Sequence, residues 1–349
     1  MKIALITDTH AGMRNDNADY SNYAGRFFKN IFFPYLKEHN IKTVIHLGDV
    51  FDRRKYINFN TLNTFHEQWV KPVREQDIEV HSILGNHDVY YRNTNDINAQ
   101  NLLLHETNTT VYEKPETIEI GGCKIAMLPW INRDNYDESM QFIKDTDAPV
   151  LMGHLELNGY QVLKNVKFDH GMDPARFAKF SRVFSGHFHV KQQKGNIDYL
   201  GTPYEITFND AGLKKGFHIF DTETRSLEFI QNPEKMHIYL PYDDTEVDYL
   251  TADISDYAGK VVKVNVIEKN DSYVFEKFIE RLDAVAPIKY TIIDNTEVLD
   301  YGTTEEGLES KDTMSILVDY VNDNFESEDD KKEITKLMRE LYNEAISES

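Results

Sequence analysis

Five short apolar runs, each stopping on an acid, amide or imidazole side chain, constrain this chain more than any other feature. "KIALIT" stops at Asp8 and His10, and "TVIHLGD" at Asp49 with Asp52 behind it. "EVHSILGNHD" stops at Asn86, His87 and Asp88, "VLMGH" at His154, and "VFSGHFH" at His187 and His189. Runs this short and this uniformly apolar read as strands buried on both faces. Between them Leu62, Phe65, Trp69, Val70 and Val73 recur at helical spacing, and 136–145 reads as a further helix. The first 200 residues therefore predict an α/β (α+β layered) fold, a mixed sheet with helices outside. Where such a sheet is largely parallel, loops at the strand carboxyl ends form the ligand crevice, so all five endings would converge.

The chemistry of those endings is that of metal ligands. Residues two apart in an extended chain share a side, which aims His187 and His189 at one spot. Asp, Asn and His together form a donor set suited to manganese, iron or zinc and unlike an all-oxygen calcium site. Two divalent ions roughly 3.5–4 Å apart need a shared carboxylate and several further donors, with positions left for water and a phosphate. Any one of these residues alone reads better as a satisfied turn or core polar group. Five endings of the same character do not. Glycines at 48, 85, 153 and 186, directly before the polar residues, allow tight turns and close backbone approach.

Beyond these runs, "EIGGCKI" and "GFHIFDTETRSLEF" carry hairpin signals. Alternating Val262, Val264 and Val266, then Phe275, Phe278, Ile279 and Leu282 on one helical face, then "YTII" predict a compact βαβ cap. The expected domains are a 1–232 core, a 233–295 cap, a 296–310 acidic linker and a 311–349 helical hairpin. The hairpin shows Met314, Leu317, Val318, Val321 and Phe325 on one helix and Ile334, Leu337, Met338 and Leu341 on the next. Two helices this short have too little partner of their own, so they should dock on another protein or on their own core. The net charge of −21 argues against polyanionic ligands, but 294–349 holds 17 acidic and 5 basic residues. That segment carries −12 and the other 293 residues only −9. No apolar run approaches the roughly 18 residues of a membrane span, and the start is too weakly apolar for a signal peptide, so a cytoplasmic protein is expected, in the host cytoplasm if phage-encoded. The one cysteine, Cys123, reads as a small buried side chain.

DxH, GDxxD, GNHD, GH and GHxH in this order resemble the signature of the calcineurin-like metallophosphoesterases. Within them "GDVFDRRK", "GNHDVYYRN", "GHLELNG", "SGHFH" and "YLGTPYEIT" resemble the SbcD-like nuclease subunits of the double-strand-break repair complex, including those of T-even-type phages. The resemblance implies a two-metal hydrolase cutting DNA as exonuclease and endonuclease with Mn2+, or Mg2+. It would work as a homodimer with an SbcC-type coiled-coil ATPase, which the tail hairpin would grip. It implies Asp8, His10, Asp49 and His189 on one ion, and Asp49, Asn86, His154 and His187 on the other. His87 would face the phosphate and assist the leaving oxygen, with Asp88 raising its pKa and fixing its orientation. Some relatives carry histidine where this chain has Asp52, so Asp52 is expected only to support a ligand.

Arg53, Arg54 and Lys55, with Tyr90, Tyr91 and Arg92, form a rim that would touch DNA or simply be solvated. The Leu62–Phe65–Trp69 stripe is either core or, as the resemblance implies, part of a dimer interface. Rival readings are a phosphatase or cyclic-nucleotide phosphodiesterase of the same superfamily, and a metal-free binding scaffold on this fold.

Overall fold

The computed structural model describes residues 1–104, 107–294, 321, 331, 334 and 335. In chain order the strands that build the core are β1 (Lys2–Ile6), β2 (Thr43–His46), β3 (Glu79–Ile83), β4 (Thr109–Tyr112), β5 (Glu116–Ile120), β6 (Cys123–Leu128) and β7 (Val150–His154). They continue with β8 (Gln161–Leu163), β9 (Val166–Lys167), β10 (Arg182–Gly186), β11 (Gln192–Lys194), β12 (Ile197–Tyr199), β13 (Gly216–Asp221) and β14 (Leu227–Gln231).

The strands divide between two six-stranded mixed sheets, ordered β14-β13-β1-β2-β3-β4 and β11-β12-β10-β7-β6-β5. Every strand that ends in a candidate ligand has a parallel neighbour, since β1, β2 and β3 pair in parallel, as do β7 and β10. Alternation inside the apolar runs explains the layering. Ile3 and Leu5 of β1 join Ile45, Ile125, Val150, Met152 and Phe184 between the sheets, while Ala4 and Ile6 face the helices outside. Leu151, Ala126 and Leu128 turn to the opposite outer layer with Ile143 of the helix Tyr136–Asp145. The sequence pattern predicts one mixed sheet, and the strands form two. A run apolar on both faces serves a buried strand in one sheet or in either of two, so periodicity cannot count the sheets.

Trp69 is 4 % exposed and stacks on Phe32 with ring centroids 5.7 Å apart, so the stripe with Phe65, Val70 and Val73 is core, with Leu62 half-buried. Phe32 and Trp69 each sit on a widened helical turn, Phe28–Phe32 and His66–Val70, just ahead of Pro34 and Pro72. A proline removes one amide donor and crowds the preceding turn, and the wider turn relieves both. Both expected hairpins are present, β5 with β6 and β13 with β14, and Cys123 is buried.

The strands β15 (His237–Asp243), β16 (Val261–Glu268) and β17 (Lys289–Asp294) form a sheet in that order, with the helix Ser272–Ala284 between β16 and β17 in sequence. Val262, Val264 and Val266 are buried on β16, and Phe278 and Leu282 on the helix. The chain falls into two compact units. One comprises Met1–Leu240, Asp253–Lys263 and Phe278–Thr291, and the other Pro241–Ala252, Val264–Lys277 and the described residues from Ile292 on. The linker 296–310 lies outside the described residues, as do Met314, Leu317, Val318, Phe325, Leu337, Met338 and Leu341. Val321 and Ile334 have helical backbone, and Val321 is buried. No helix among the described residues is long and apolar enough to cross a membrane.

Candidate metal centre

The five strand endings meet in the Met1–Leu240 unit. Asp8, His10 and His189 form one group whose donor atoms lie within 4.8 Å of one another. Asp49, His154 and His187 form a second, and His10, Asp49 and His87 a third. Asp49 links them, its Oδ2 3.3 Å from His154 Nε2 and 3.8 Å from His10 Nε2. Asn86 Oδ1 completes the second group, 3.0 Å from His154 Nε2 and 2.9 Å from His187 Nδ1.

The backbone is strained to reach this arrangement. Asp8, His10, Asp49 and His187 all have positive φ, between 44° and 85°, where non-glycine residues cost about 1–3 kcal/mol each. Loop-to-loop amide bonds hold them there, Asp8 N–H donating to the Gly48 carbonyl at 3.0 Å and His10 N–H to the Asp49 carbonyl at 3.1 Å. Gly48 and Gly85 let two turns touch: a Cβ on Gly48 would stand 2.7 Å from the Gly85 nitrogen, and one on Gly85 2.1 Å from Asp49 Oδ1. A side chain at Gly85 would displace the Asp49 carboxylate, and one at Gly48 would press on His154 Nδ1, 2.6 Å away.

Asp88 corrects an expectation. Its carboxylate does not address His87. It accepts the backbone N–H groups of Asp49, Val50, Phe51 and Gly85 and the Gln100 amide, tying the second and third motifs together. His87 is oriented instead by the Asp52 carbonyl, which accepts from Nδ1 at 2.6 Å. Burial holds the His87 pKa below its ordinary value, and the groups that oppose it are Asp49 and Asp52. Asp52 also sets His10, its Oδ1 3.2 Å from Nδ1, which fits the supporting role.

The electrostatics fit a cation. His10 Nε2 is buried without a hydrogen-bond partner, 4.0 Å from Asp8 Oδ1, a gap suited to donors sharing an ion about 2.0–2.2 Å from each. Burial alone would lower the pKa of His10 and His154, yet Asp52, Asp49 and Asp8 raise His10 to about 9, and Asp49, Asp8 and the Leu47 carbonyl raise His154 to about 9. The buried carboxylates thus recruit positive charge. Raised pKa values stabilise the metal-free fold fully below pH 6.5, and that stabilisation fades as pH rises through about 9. A metal-loaded centre already holds these imidazoles deprotonated. The rise in Tm on adding manganese to chelator-stripped protein is therefore expected to grow from pH 6.5 to 9. A constant or shrinking rise, measured by scanning calorimetry, would contradict this account.

A family model described as calcineurin-like phosphoesterase matches residues 1–191. The chain belongs to the calcineurin-like phosphoesterase family. Within it the chain is 33 % identical over 351 residues to exonuclease subunit 1 of Enterobacteria phage T4, covering 99 % of both chains. It is 23 % identical over 318 residues to the DNA double-strand break repair protein Mre11 of Nanoarchaeum equitans (strain Kin4-M), covering 84 % of this chain and 82 % of the relative. This phosphoesterase is thus SbcD-like, as the motifs implied.

Around the centre, sequence reasoning missed Glu156, whose Oε1 lies 3.2 Å from His187 Nε2. The signal was available, since Glu156 follows His154 by two, as His189 follows His187. It also missed Trp130, which ends β6's run and packs 5.3 Å from the His187 ring. Of the rim residues, Arg53 is engaged. It pairs with Asp16 at 3.0 Å, donates to Asn15 Oδ1 at 2.7 Å and lies over the Tyr56 ring. Tyr90 and Tyr91 form an exposed T-shaped pair 4.7 Å apart, Lys55 and Arg92 are exposed, and Arg54 is half-buried.

Proposed function

We propose that this phosphoesterase is a two-metal DNA nuclease, cutting phosphodiester bonds as exonuclease and endonuclease with Mn2+, or Mg2+. Asp8, His10, Asp49 and His189 would hold one ion, and Asp49, Asn86, His154 and His187 the other. The observation that carries this reading is the Asp49 carboxylate, within 4 Å of imidazoles from both donor groups, in a chain with a full-length relative named an exonuclease subunit. Bound divalent ions supply a nucleophilic water at neutral pH and neutralise charge building on the phosphate. The chain's own part is to hold the donors, through Asp52 on His10, the Leu47 carbonyl on His154 Nδ1 and Glu156 on His187 Nε2. His87 Nδ1 is committed to the Asp52 carbonyl, so a proton for the leaving oxygen would travel on Nε2.

The test is cleavage of labelled duplex and single-stranded oligonucleotides with manganese, magnesium or chelator. His87→Ala is expected to lower the rate at least about a hundredfold while retaining metal. Full activity in that variant would remove the assignment. Turnover of small phosphoesters with indifference to DNA would favour a phosphatase instead.

The relative named a subunit supports a partner, for which we propose an SbcC-type ATPase, with the nuclease as a homodimer. Tyr56 and Phe59, 61 % and 89 % exposed, are candidates for a second copy's contact. Deleting 311–349 is expected to abolish co-purification with the ATPase and to spare manganese-dependent cleavage of a simple oligonucleotide. Complex formation by the truncated chain would refute the tail's role.

A further inference from the structure

Beside the candidate centre lies an open cleft of about 500 Å³ that the reading above does not use, lined by Trp130, Ile131, Tyr136, His154, Glu156, Gly171, Met172, Asp173 and Arg176. We propose that it is a nucleobase subsite, in which Trp130 stacks the base of the nucleotide whose phosphate is attacked. The inference rests on the nuclease reading and names how its substrate strand is gripped.

Three observations favour a base as occupant. The cleft and the centre share a wall, for His154 belongs to both, and Trp130 packs 6.0 Å from its ring and 5.3 Å from that of His187. A planar group on the indole would therefore sit one residue along a strand from a phosphate held at the centre. The lining also has the mixed character of a base site. Trp130, Ile131, Tyr136 and Met172 give apolar and aromatic surface, while Glu156 offers a carboxylate 41 % exposed and Arg176 an exposed cation. Aromatic platforms accept any base because every base has a π-face. Finally, the 293 residues before 294 still carry −9, which weakens phosphate-backbone attraction away from the centre, so a contact that ignores charge adds affinity for a short single strand.

Trp130 is held ready for this. Its carbonyl accepts the side-chain amides of Asn95 and Asn135, and its N–H donates to the Leu84 carbonyl at 2.8 Å. The opposite edge of the cleft is fixed by the Met172 N–H, which donates to the Glu156 carbonyl at 2.9 Å.

The experiment titrates full-length protein with thymidine 5′-monophosphate and with deoxyribose 5-phosphate, both in manganese, by calorimetry at low and high salt. The base should tighten binding about tenfold, as expected for one stacked base, with little dependence on salt. Trp130→Leu should erase that preference. Emission from Trp69, the other tryptophan and a buried one, reports that the variant is folded. Equal binding of the two ligands by the wild type, or a preference that survives in folded Trp130→Leu, overturns the subsite. The nuclease reading fails separately: base-dependent binding through Trp130 without cleavage of any oligonucleotide would leave the subsite standing and remove the nuclease. Cleavage without base preference would do the reverse.

Discussion

Asp49→Asn is expected to strip the centre of metal and to lower phosphodiester cleavage by roughly a thousandfold or more, beyond the 10–100-fold that changes to outer partners cost. Asparagine keeps the volume and can still accept the His87 N–H that Asp49 Oδ1 accepts at 2.8 Å. What it loses is the charge on the one oxygen within 4 Å of both His154 and His10. The His154 and His187 group then has no carboxylate, and the other group keeps only Asp8. The fold should survive, because Asp88 still joins the two loops through the Asp49, Val50 and Phe51 amides. The same change removes the main charge raising His154 and one that, after Asp52, raises His10, so both imidazoles should titrate lower by NMR in metal-free protein. Asp52→Asn is the control, since its side chain meets the ligand His10 from outside the donor groups and should fall within the 10–100-fold range. Metal analysis and oligonucleotide cleavage of the two variants decide the point. Asp49→Asn protein that retains two ions per chain would sink the shared-carboxylate account.

The endings of the strands were legible because one rule, polar donors after buried parallel strands, acts on each run independently. Asp8, His10, Asp49, Asn86, His154, His187 and His189 all fall within the groups that rule brings together. The positive φ of Asp8, His10, Asp49 and His187 was not legible. Those angles accompany bonds between distant loops, which no local pattern records: Asp8, His10 and Asp49 donate their amides to groups about 40 residues on, and His187 donates to the Asp8 carboxylate. Asp88 was misread for a related reason. Adjacent to His87 in sequence, it turns its carboxylate away to amides that only the tertiary fold delivers. Arg53, expected on a rim touching DNA or solvent, also meets Asp16 and Asn15, nearly forty residues earlier, which its neighbours in sequence do not signal. Sequence neighbours predict shared location, and tertiary partners decide what each side chain does there.

The largest stability effect is expected at Lys215, a residue with no signal in the sequence. Its ammonium is buried, donating to Asp210 Oδ1, to Thr202 Oγ1 at 2.7 Å and to the His189 carbonyl at 2.9 Å. Burial would raise the Asp210 pKa, but the Lys215 charge holds it below the usual carboxylate value. Asp210 in turn accepts the Ile206 and Thr207 amides, so the pair pins the segment 201–210 against a candidate metal ligand. Lys215→Met fits the apolar stem but leaves a buried carboxylate uncompensated, and breaking such a pair costs about 3–5 kcal/mol. Equilibrium denaturation in chelator should show that loss. Metal affinity should fall roughly 10–100-fold as the His189 backbone loosens. Adding Asp210→Asn removes the stranded charge, so the double variant should regain part of the stability, a coupling that two independent losses would not give. Additive losses in that cycle would mean that Lys215 acts through packing alone, and unchanged metal affinity would detach it from the centre.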